Sequence, residues 1–326
     1  MTFMQPASRI VVIMSTFNEE RHIDRALDAV SQQTASPDVL VVDGGSTDKT
    51  VEILRRRAER DPRITVYADG IRRTLPAAMN LAIEMTSLPF VAKIDARTFM
   101  EPDFLERALE VFDREGEAVG CVGGRPEQYG ESSFGQALAY ARMSKFGVGG
   151  SGFATGVQYG DVDSVVCGVY RRTALDAVGG FDPQLQFGED EELNWRLRQA
   201  GYRIMLNRKA RFRYVARSTW RAAFQQYRNY GRARTRVVRK HPSFIRPRHL
   251  VPAAALLVEA ALIGASLASP LARKMAAGLA ISYATGAIAA ASLSARSDPR
   301  AIPTTTFAFT ALHLGYGVGV LEGLLT

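Results

Sequence analysis

The chain has 326 residues and a formal net charge of +8, and its first 240 residues suffice for one sizeable core. It contains no internal repeat and no low-complexity linker, which excludes a repeat protein. Its two cysteines, Cys121 and Cys167, have no metal-ligand spacing, so we expect reduced core residues of a cytosolic domain. We expect no signal peptide, because the apolar run Ile10–Met14 is too short for one.

The charge is divided sharply along the chain. Residues 1–192 hold 20 Lys and Arg against 30 Asp and Glu, whereas residues 193–326 hold 21 against 3. No acidic residue lies between Glu192 and Glu259. Such a basic stretch indicates a surface for phosphates, anionic lipid headgroups or nucleic acid.

The N-terminal part alternates between short strands of the buried type and amphipathic helices. This alternation predicts a parallel α/β sheet with right-handed crossovers, whose ligands collect at the carboxyl ends of the strands. Polar groups follow three predicted strands, at residues 15–19, Asp43 and Asp95. The spacing predicts strands over 9–15, 39–42, 64–67 and 90–94, and helices over 22–33, 47–60 and 76–85.

A run of four carboxylates, residues 189–192, begins another helix that stops at Gly201. The leucine spacing behind the run places Glu189 and Asp190 in the loop and the first helical turn. A helix N-terminus stabilises negative charge, whereas crowded like charges raise the pKa of at least one carboxyl. The run is therefore either a solvated acidic first turn or the site of a general base that faces a hydroxyl group.

The other polar strand ends also have ordinary structural interpretations. Residues 43–46 (DGGS) fit a tight turn with a helix cap at Ser46 or Thr47, and they match neither common phosphate-binding loop. Residues 18–20 fit a helix start, and residues 95–97 fit a buried ion pair. The functional interpretation depends on the order and spacing of all these segments together.

Three apolar segments follow the basic stretch. They cover residues 250–268, 275–293 and 304–325, each about 20 residues, which is near the length of a helix that crosses the hydrocarbon layer. Buried helices of a soluble bundle are the alternative, but three such segments behind arginines favour membrane insertion with the basic side facing the cytoplasm. If the segments on both sides of Arg273 and Lys274 span, these two residues lie outside. The alternative to a spanning first segment is therefore one that is interfacial or re-entrant.

The polar segments form a series of motifs that resembles one family. In chain order they are residues 14–20 (MSTFNEE), 41–50 (VVDGGSTDKT), 77–80 (AAMN), 93–97 (KIDAR), 179–182 (GGFD) and 188–190 (GED). This set resembles the family 2 glycosyltransferases of the GT-A fold. Residues 147–152, 162–165 and 226–234 are similar to segments of the membrane-anchored glucosyltransferases of succinoglycan synthesis, and the resemblance covers nearly the whole chain.

The resemblance implies an α/β, Rossmann-like and mostly parallel GT-A catalytic domain over residues 1–240. A basic interfacial helix region over about 215–248 would rest on anionic membrane lipids, and residues 249–326 would form a membrane domain of two to three helices. Nucleic acid is not an expected partner, since an apolar tail follows the basic stretch directly.

The implied reaction is an inverting transfer of a hexose from a nucleotide sugar, expected to be UDP-linked. The implied acceptor is a polyprenyl-diphosphate-linked saccharide in exopolysaccharide or cell-envelope glycan synthesis. The enzyme would sit in a bacterial-type inner membrane with its catalytic domain in the cytoplasm.

The resemblance also implies roles for individual residues. Asp190 stands in the position of the catalytic base with Glu189 as its neighbour. Arg228, in a QxxR-like element, would face the departing diphosphate. The expected nucleotide-sugar site comprises Ser15, Phe17, Glu19, Asp43, Arg73, Asn80, Asp95 and Arg97. In this site Phe17 would lie beside the nucleotide base and Asp43 would accept a hydrogen bond from it.

Among these residues Asp95 would meet the ribose and a divalent cation, Mg²⁺ or Mn²⁺. Arg97 stands where the family usually has a second acid or a histidine, and an arginine cannot ligate a cation. Either Asp95 alone anchors the metal, with diphosphate and water completing the shell, or Arg97 takes over part of the charge neutralisation.

Two other functions stay open at this point. One is a polyprenyl-phosphate monosaccharide synthase, in which the lipid phosphate itself is the acceptor. The other is a catalytically silent membrane scaffold of a polysaccharide-synthesis complex. The glycine-rich segment 147–160 is either a mobile loop over the acceptor site or a plain surface loop.

Overall fold

The computed structural model describes residues 8–148 and 158–326, so most of the glycine-rich segment 147–160 lies outside the described residues. The chain forms two compact units. The first runs up to Glu127 and resumes from 158 to Tyr214, and the second holds 128–148 and everything from Val215 onward. The predicted basic interfacial region therefore groups with the C-terminal helices, whereas the predicted domain boundary lay at residue 240.

The first unit is built on a mixed β-sheet. Within the described residues nine strands join this sheet. They are β1 Ile10–Thr16, β2 Asp38–Asp43, β3 Ile64–Tyr67, β4 Phe90–Lys93, β5 Thr98–Met100, β6 Val119–Tyr129, β7 Tyr159–Asp161, β8 Val169–Arg171 and β9 Arg203–Val215.

The strand order is β3-β2-β1-β4-β8-β6-β9-β5, and β7 pairs with β9. Strand β1 pairs in parallel with β2 and β4, and β2 pairs in parallel with β3. The predicted parallel sheet is thus confirmed for β1 to β4. The antiparallel half, which starts where β8 pairs with β4, was not predicted.

Six helices among the described residues of this unit flank the strands, numbered along the whole chain. In α1 the buried residues recur at helical spacing, so that one apolar face packs on the sheet. These helices are α1 Ile23–Ser31, α2 Thr50–Arg60, α3 Leu75–Glu84, α4 Phe104–Glu115, α7 Arg172–Val178 and α8 Glu189–Gln199.

The start of α2 differs from the prediction. The helix begins at Thr50, with Lys49 at its N-cap position and no side-chain cap. Ser46 and Thr47, the predicted caps, make other contacts: Ser46 Oγ donates to Asp43 at 2.6 Å, and the Thr47 amide donates to Asn18 Oδ1 at 2.8 Å. The predicted cap was therefore wrong, because these residues belong to a loop held by the two strand ends.

The second unit is helical in its described part. Its 15-residue helix α10 is shorter than the apolar segment 250–268 that predicted it. The helices are α5 Ser133–Arg142, α6 Lys145–Val148, α9 Trp220–Lys240, α10 Val251–Ala265, α11 Pro270–Ser294 and α12 Ile302–Leu325.

Two stretches of the described chain are long and apolar enough to cross a membrane, namely α11 and residues 299–325, which contain α12. They differ in burial, since 17% of the apolar window is buried in α11 and 50% in the second stretch. The side of α12 that is covered faces α9 and α5, through an apolar cluster that includes Leu138, Tyr227, Phe309 and Leu312.

Close contact between α9 and α12 depends on glycine. A Cβ atom built on Gly319 would lie 2.0 Å from the Arg228 carbonyl oxygen, which leaves no room for a side chain. We expect Gly319→Ala to separate the two helices and lower the thermal unfolding temperature of the chain in detergent, because overpacking typically costs about 1–3 kcal/mol.

The matched control for this variant is Gly278→Ala in α11, where a Cβ would meet nothing within 4 Å. It should leave the unfolding temperature unchanged or raise it slightly, since alanine favours helix more than glycine. Equal unfolding temperatures for the two variants would contradict the close α9–α12 packing.

Candidate active site

A buried lysine lies at the carboxyl end of β4, in contact with three carboxylates. The side chain of Lys93 is 1% exposed, and its Nζ lies 3.0 Å from Asp95 Oδ1. The same ammonium donates to Glu189 Oε1 at 3.2 Å and to Asp190 Oδ2 at 3.0 Å. It therefore joins the end of β4 to the N-terminus of α8, so that the acidic residues of two predicted motifs meet at one cation.

The protonation of Lys93 follows from these partners. Burial alone would lower its pKa, but Asp190, Asp95 and Glu189 together hold the pKa well above its ordinary value. The side chain is therefore a fixed positive charge.

Asp190 has one oxygen that Lys93 does not engage, since the ammonium donates to Oδ2. It is 8% exposed, and its Oδ1 is buried without a hydrogen-bond partner among the residues that the structure describes. Gly188 takes a left-handed conformation (φ 75°) immediately before α8, and Asp190 lies in the first turn of that helix. The solvated-surface interpretation of the acidic run is thus wrong for Glu189 and Asp190, which are both buried.

Burial raises the pKa of the Asp190 carboxyl to about 7; the Lys93 ammonium opposes this rise, while the charges of Glu189 and Asp95 add to it. A carboxylate with this pKa is half-protonated near neutral pH. Such a group can take up a proton from a hydroxyl at physiological pH, which an ordinary aspartate does poorly.

If Asp190 is the base, its pKa of about 7 predicts how the rate of sugar transfer depends on pH. Because the base acts only when deprotonated, kcat/KM should fall as the pH decreases below about 7, approaching a tenfold loss per pH unit. The initial rate of sugar transfer is measured between pH 5 and 9 at a subsaturating concentration of the donor. An acid limb near pH 4 would show that the base is an unperturbed carboxylate elsewhere.

Glu19 and Arg97 form an ion pair. Arg97 Nε donates to Glu19 Oε1 at 3.0 Å, and Glu19 Oε2 lies 3.1 Å from His22 Nδ1. Arg97 thus forms the predicted kind of ion pair, but with Glu19 rather than with Asp95. The contact joins the loop after β1 to the loop after β4.

Asp43 organises the loop that follows β2. It is 1% exposed and accepts hydrogen bonds from Thr16 Oγ1 (3.0 Å), from the Gly45 amide (2.9 Å) and from both the amide and the hydroxyl of Ser46 (2.8 and 2.6 Å). The carboxylate fixes the turn, as the structural interpretation predicted. A second role as acceptor from a nucleotide base stays a prediction.

Phe17 is 41% exposed at the end of β1, and the Arg72 guanidinium stacks on its ring at 3.6 Å. Arg72 also donates to the Gly44 carbonyl at 3.1 Å. Arg73, the arginine singled out by the resemblance, instead forms a two-pronged ion pair with Asp69. Arg72 is therefore the arginine that lies over the predicted base-binding side chain.

The side-chain amide of Asn80 is hydrogen-bonded to the backbone of Phe181. Its Nδ2 donates to the Phe181 carbonyl at 2.7 Å, and its Oδ1 accepts from the Phe181 amide at 2.8 Å. Both ends of the amide are used to hold the loop before α8 onto α3. Its predicted contact with the nucleotide has no direct support in this geometry.

The two remaining predicted residues differ in position. Ser15 lies in β1, partly exposed, in register with Val42 of β2. Arg228 lies in α9 of the second unit, where its Nε donates to both carboxylate oxygens of Glu322 at 3.0 and 2.8 Å. The predicted contact of Arg228 with a diphosphate stays a prediction.

Lys93 and Arg72 were missed by the sequence reasoning. Lys93 carried a usable signal, because a charged residue between Ala92 and Ile94 interrupts an otherwise apolar buried strand. A lysine there needs acidic partners. Arg72 carried no such signal, since nothing in the sequence separates it from Arg73.

Asp95 is the carboxylate that the resemblance assigns to a divalent cation. The Asp95 side chain is 31% exposed, whereas the neighbouring Arg97 is a cation itself. Within residues 8–148 and 158–326, no group of three or more His, Cys, Asp or Glu side chains is arranged to hold a metal ion. Asp95 thus fits a cation that arrives with a diphosphate and takes most of its ligands from phosphate and water.

The sheet order and the polar strand ends define a GT-A-type fold. The structure of the mannosyltransferase PcManGT from Pyrobaculum calidifontis, in complex with GDP-Man and Mn²⁺, matches 97% of this chain and 87% of its own with a TM-score of 0.68. Sequence identity is 21%, so this similarity establishes the fold alone.

Sequence comparison shows the family. The profile described as glycosyl transferase family 2 matches residues 11–179. The succinoglycan biosynthesis protein ExoA of Rhizobium meliloti (strain 1021) is 34% identical over 248 residues, covering 75% of this chain and 74% of that protein. A dolichyl N-acetyl-alpha-D-glucosaminyl phosphate glucuronosyltransferase of Methanococcus voltae is 27% identical over 240 residues, or 71% and 74%. The chain therefore belongs to glycosyl transferase family 2.

Proposed function

We propose that this protein is an inverting hexosyltransferase that moves a sugar from a nucleotide donor to a polyprenyl-diphosphate-linked saccharide, with Asp190 as the catalytic base. The observation that carries the proposal is the buried oxygen of Asp190, which has no partner among the described residues and belongs to a carboxyl with a pKa near 7. It lies at the carboxyl end of the parallel strands, where ligands of such sheets bind.

In this mechanism Asp190 takes the proton of an acceptor hydroxyl while the hydroxyl oxygen bonds to the anomeric carbon of the donor. The bond from that carbon to the diphosphate oxygen breaks on the opposite face, and its electron pair leaves with the nucleoside diphosphate. The anomeric configuration is therefore inverted. Lys93 keeps Asp190 oriented, and Glu189 shares the same ammonium.

The donor would bind along the ends of β1, β2 and β4. Phe17, with Arg72 stacked on it, supplies a planar surface for the base, and Ser15 and Asp43 border the same strand ends. We propose a UDP-linked hexose as donor, while GDP-linked sugars are the competing class because the structural relative holds GDP-Man.

A divalent cation, Mg²⁺ or Mn²⁺, would neutralise charge on the departing diphosphate when bound. Asp95 is the side chain that would hold it, and Arg97 adds a positive charge next to it. If Arg97 carries part of this neutralisation, Arg97→Ala should lower transfer and steepen its dependence on Mn²⁺. Rates measured against Mn²⁺ concentration for both proteins test this, and parallel curves would contradict a role for Arg97.

The acceptor class is supported by the relatives. The Methanococcus voltae protein is named for a dolichyl-phosphate-linked sugar, and the Rhizobium meliloti protein for succinoglycan biosynthesis. A lipid-linked saccharide also suits the exposed apolar helices α10 and α11 behind a basic segment. We therefore propose that the enzyme lies at a bacterial-type inner membrane with its catalytic unit in the cytoplasm. It would act in exopolysaccharide or cell-envelope glycan synthesis.

The test is transfer by the purified full-length chain with UDP- and GDP-hexoses, with and without Mn²⁺, to a polyprenyl-diphosphate-linked saccharide or to polyprenyl phosphate alone. We expect transfer to the saccharide. Transfer only to polyprenyl phosphate would make the chain a monosaccharide synthase. Absence of hydrolysis or transfer with every donor would favour a catalytically silent scaffold.

A further inference from the structure

Helices α9 and α12 lie side by side and run in the same direction. Near their starts, Trp220 Nε1 donates to Thr310 Oγ1 at 2.8 Å. Near their ends, Arg239 Nη2 donates to the Leu324 carbonyl at 3.2 Å. The two helices are therefore paired over most of their lengths.

Glycines bring the two backbones into direct contact. A Cβ on Gly315 would lie 2.5 Å from the Phe224 carbonyl oxygen, and one on Gly323 would lie 2.0 Å from Thr235 Oγ1. With Gly319 these residues recur every fourth position along one side of α12. No lipid fits between the helices on this side.

Helix α9 cannot lie within hydrocarbon. It carries seven basic residues and no acid in 21 positions. Glu322 of α12 pairs with two of them, Arg228 and Arg232. A basic side chain costs about 2.5–3.5 kcal/mol at the centre of a bilayer. Helix α12 is packed along α9 and runs in the same direction. If α9 stays outside the hydrocarbon, α12 therefore cannot cross it.

Helices α10 and α11 have the opposite character. Their large apolar side chains project into solvent in the isolated chain, with Ile263 of α10 56% exposed and Leu271 of α11 67% exposed. Further along α11, Ile281 and Ile288 are 66% and 51% exposed. These two helices present the apolar surface that a bilayer would cover.

We propose that α9 and α12 form a paired helical platform that lies along the membrane surface, so that α12 does not cross the bilayer and the lipid-embedded part is the α10–α11 pair. This inference rests on the membrane association in the proposed function and adds its topology. Although α12 is long and apolar enough to span, both of its ends then lie on the same side of the membrane.

Cysteine labelling tests this directly, because the native Cys121 and Cys167 are buried and should not react with a membrane-impermeant maleimide. Single probes are Arg300→Cys before α12 and Thr326→Cys after it, both at exposed positions. Glu59→Cys on the exposed side of α2 marks the side of the catalytic unit. Labelling is compared in spheroplasts, inside-out vesicles and detergent-permeabilised cells that express each full-length variant.

We expect all three probes to label in inside-out vesicles and to be protected in intact spheroplasts. If Thr326→Cys labels in intact spheroplasts while Arg300→Cys and Glu59→Cys do not, α12 crosses the membrane and the inference fails. A separate flotation assay with phosphatidylglycerol-containing vesicles checks membrane association. A chain that does not float would overturn that part of the proposed function and, with it, the platform.

Discussion

Asp190→Asn should lower kcat for sugar transfer by about 10²- to 10⁴-fold, the usual contribution of a general base. The amide keeps the size of the side chain and can still accept a hydrogen bond from Lys93, so the fold should persist. Donor binding should change little, because the proposed role of Asp190 is to take a proton from the acceptor. The measurement is steady-state transfer alongside donor affinity by calorimetry, on both proteins.

The matched control is Glu191→Gln, the same change in charge one residue further along α8. Glu191 is less buried than Asp190 and does not contact Lys93 in the described geometry. Its kcat should stay near that of the wild type. Equal rates for Asp190→Asn and the wild type would remove Asp190 as the base.

Lys93→Met should damage both stability and activity. It leaves Asp95, Glu189 and Asp190 without their shared cation, and breaking a buried ion pair typically costs about 3–5 kcal/mol. Because the ammonium lowers the pKa of Asp190, its loss should raise that pKa above about 7. We therefore expect a lower unfolding temperature and an acid limb of kcat/KM displaced to higher pH.

Two further variants separate these effects. Lys209→Met removes an exposed ammonium in β9 and should change neither quantity. The double variant Lys93→Met/Asp190→Asn should recover part of the lost stability, since one of the unpaired charges is gone. If the single and double variants unfold at the same temperature, Lys93 and Asp190 are not coupled.

The parallel half of the sheet was predictable because it depends on local patterns. Runs of buried residues in β1 to β4, separated by amphipathic helices, indicate parallel strands joined by right-handed crossovers. The antiparallel half was not predicted, since β5, β7 and β8 are three residues long and their pairing partners are distant in sequence. Nor could residue spacing show that α9 would lie against α12.

The site was predicted in part for a similar reason. The order of the motifs predicted that Asp95, Glu189 and Asp190 belong to one site. In the structure all three contact Lys93. The sequence could not show which polar side chains already have hydrogen-bond or ion-pair partners within the protein. Asn80 and Arg73 match the family pattern, yet their side chains bind Phe181 and Asp69.

If Asp190 activates an acceptor hydroxyl for direct displacement at the anomeric carbon, the configuration at that carbon is inverted. The most direct measurement is the anomeric configuration of the product, read by NMR after transfer from an α-linked nucleotide hexose to a lipid-linked saccharide. Single displacement predicts a β-linked product. An α-linked product would show retention and would contradict single displacement with Asp190 as base.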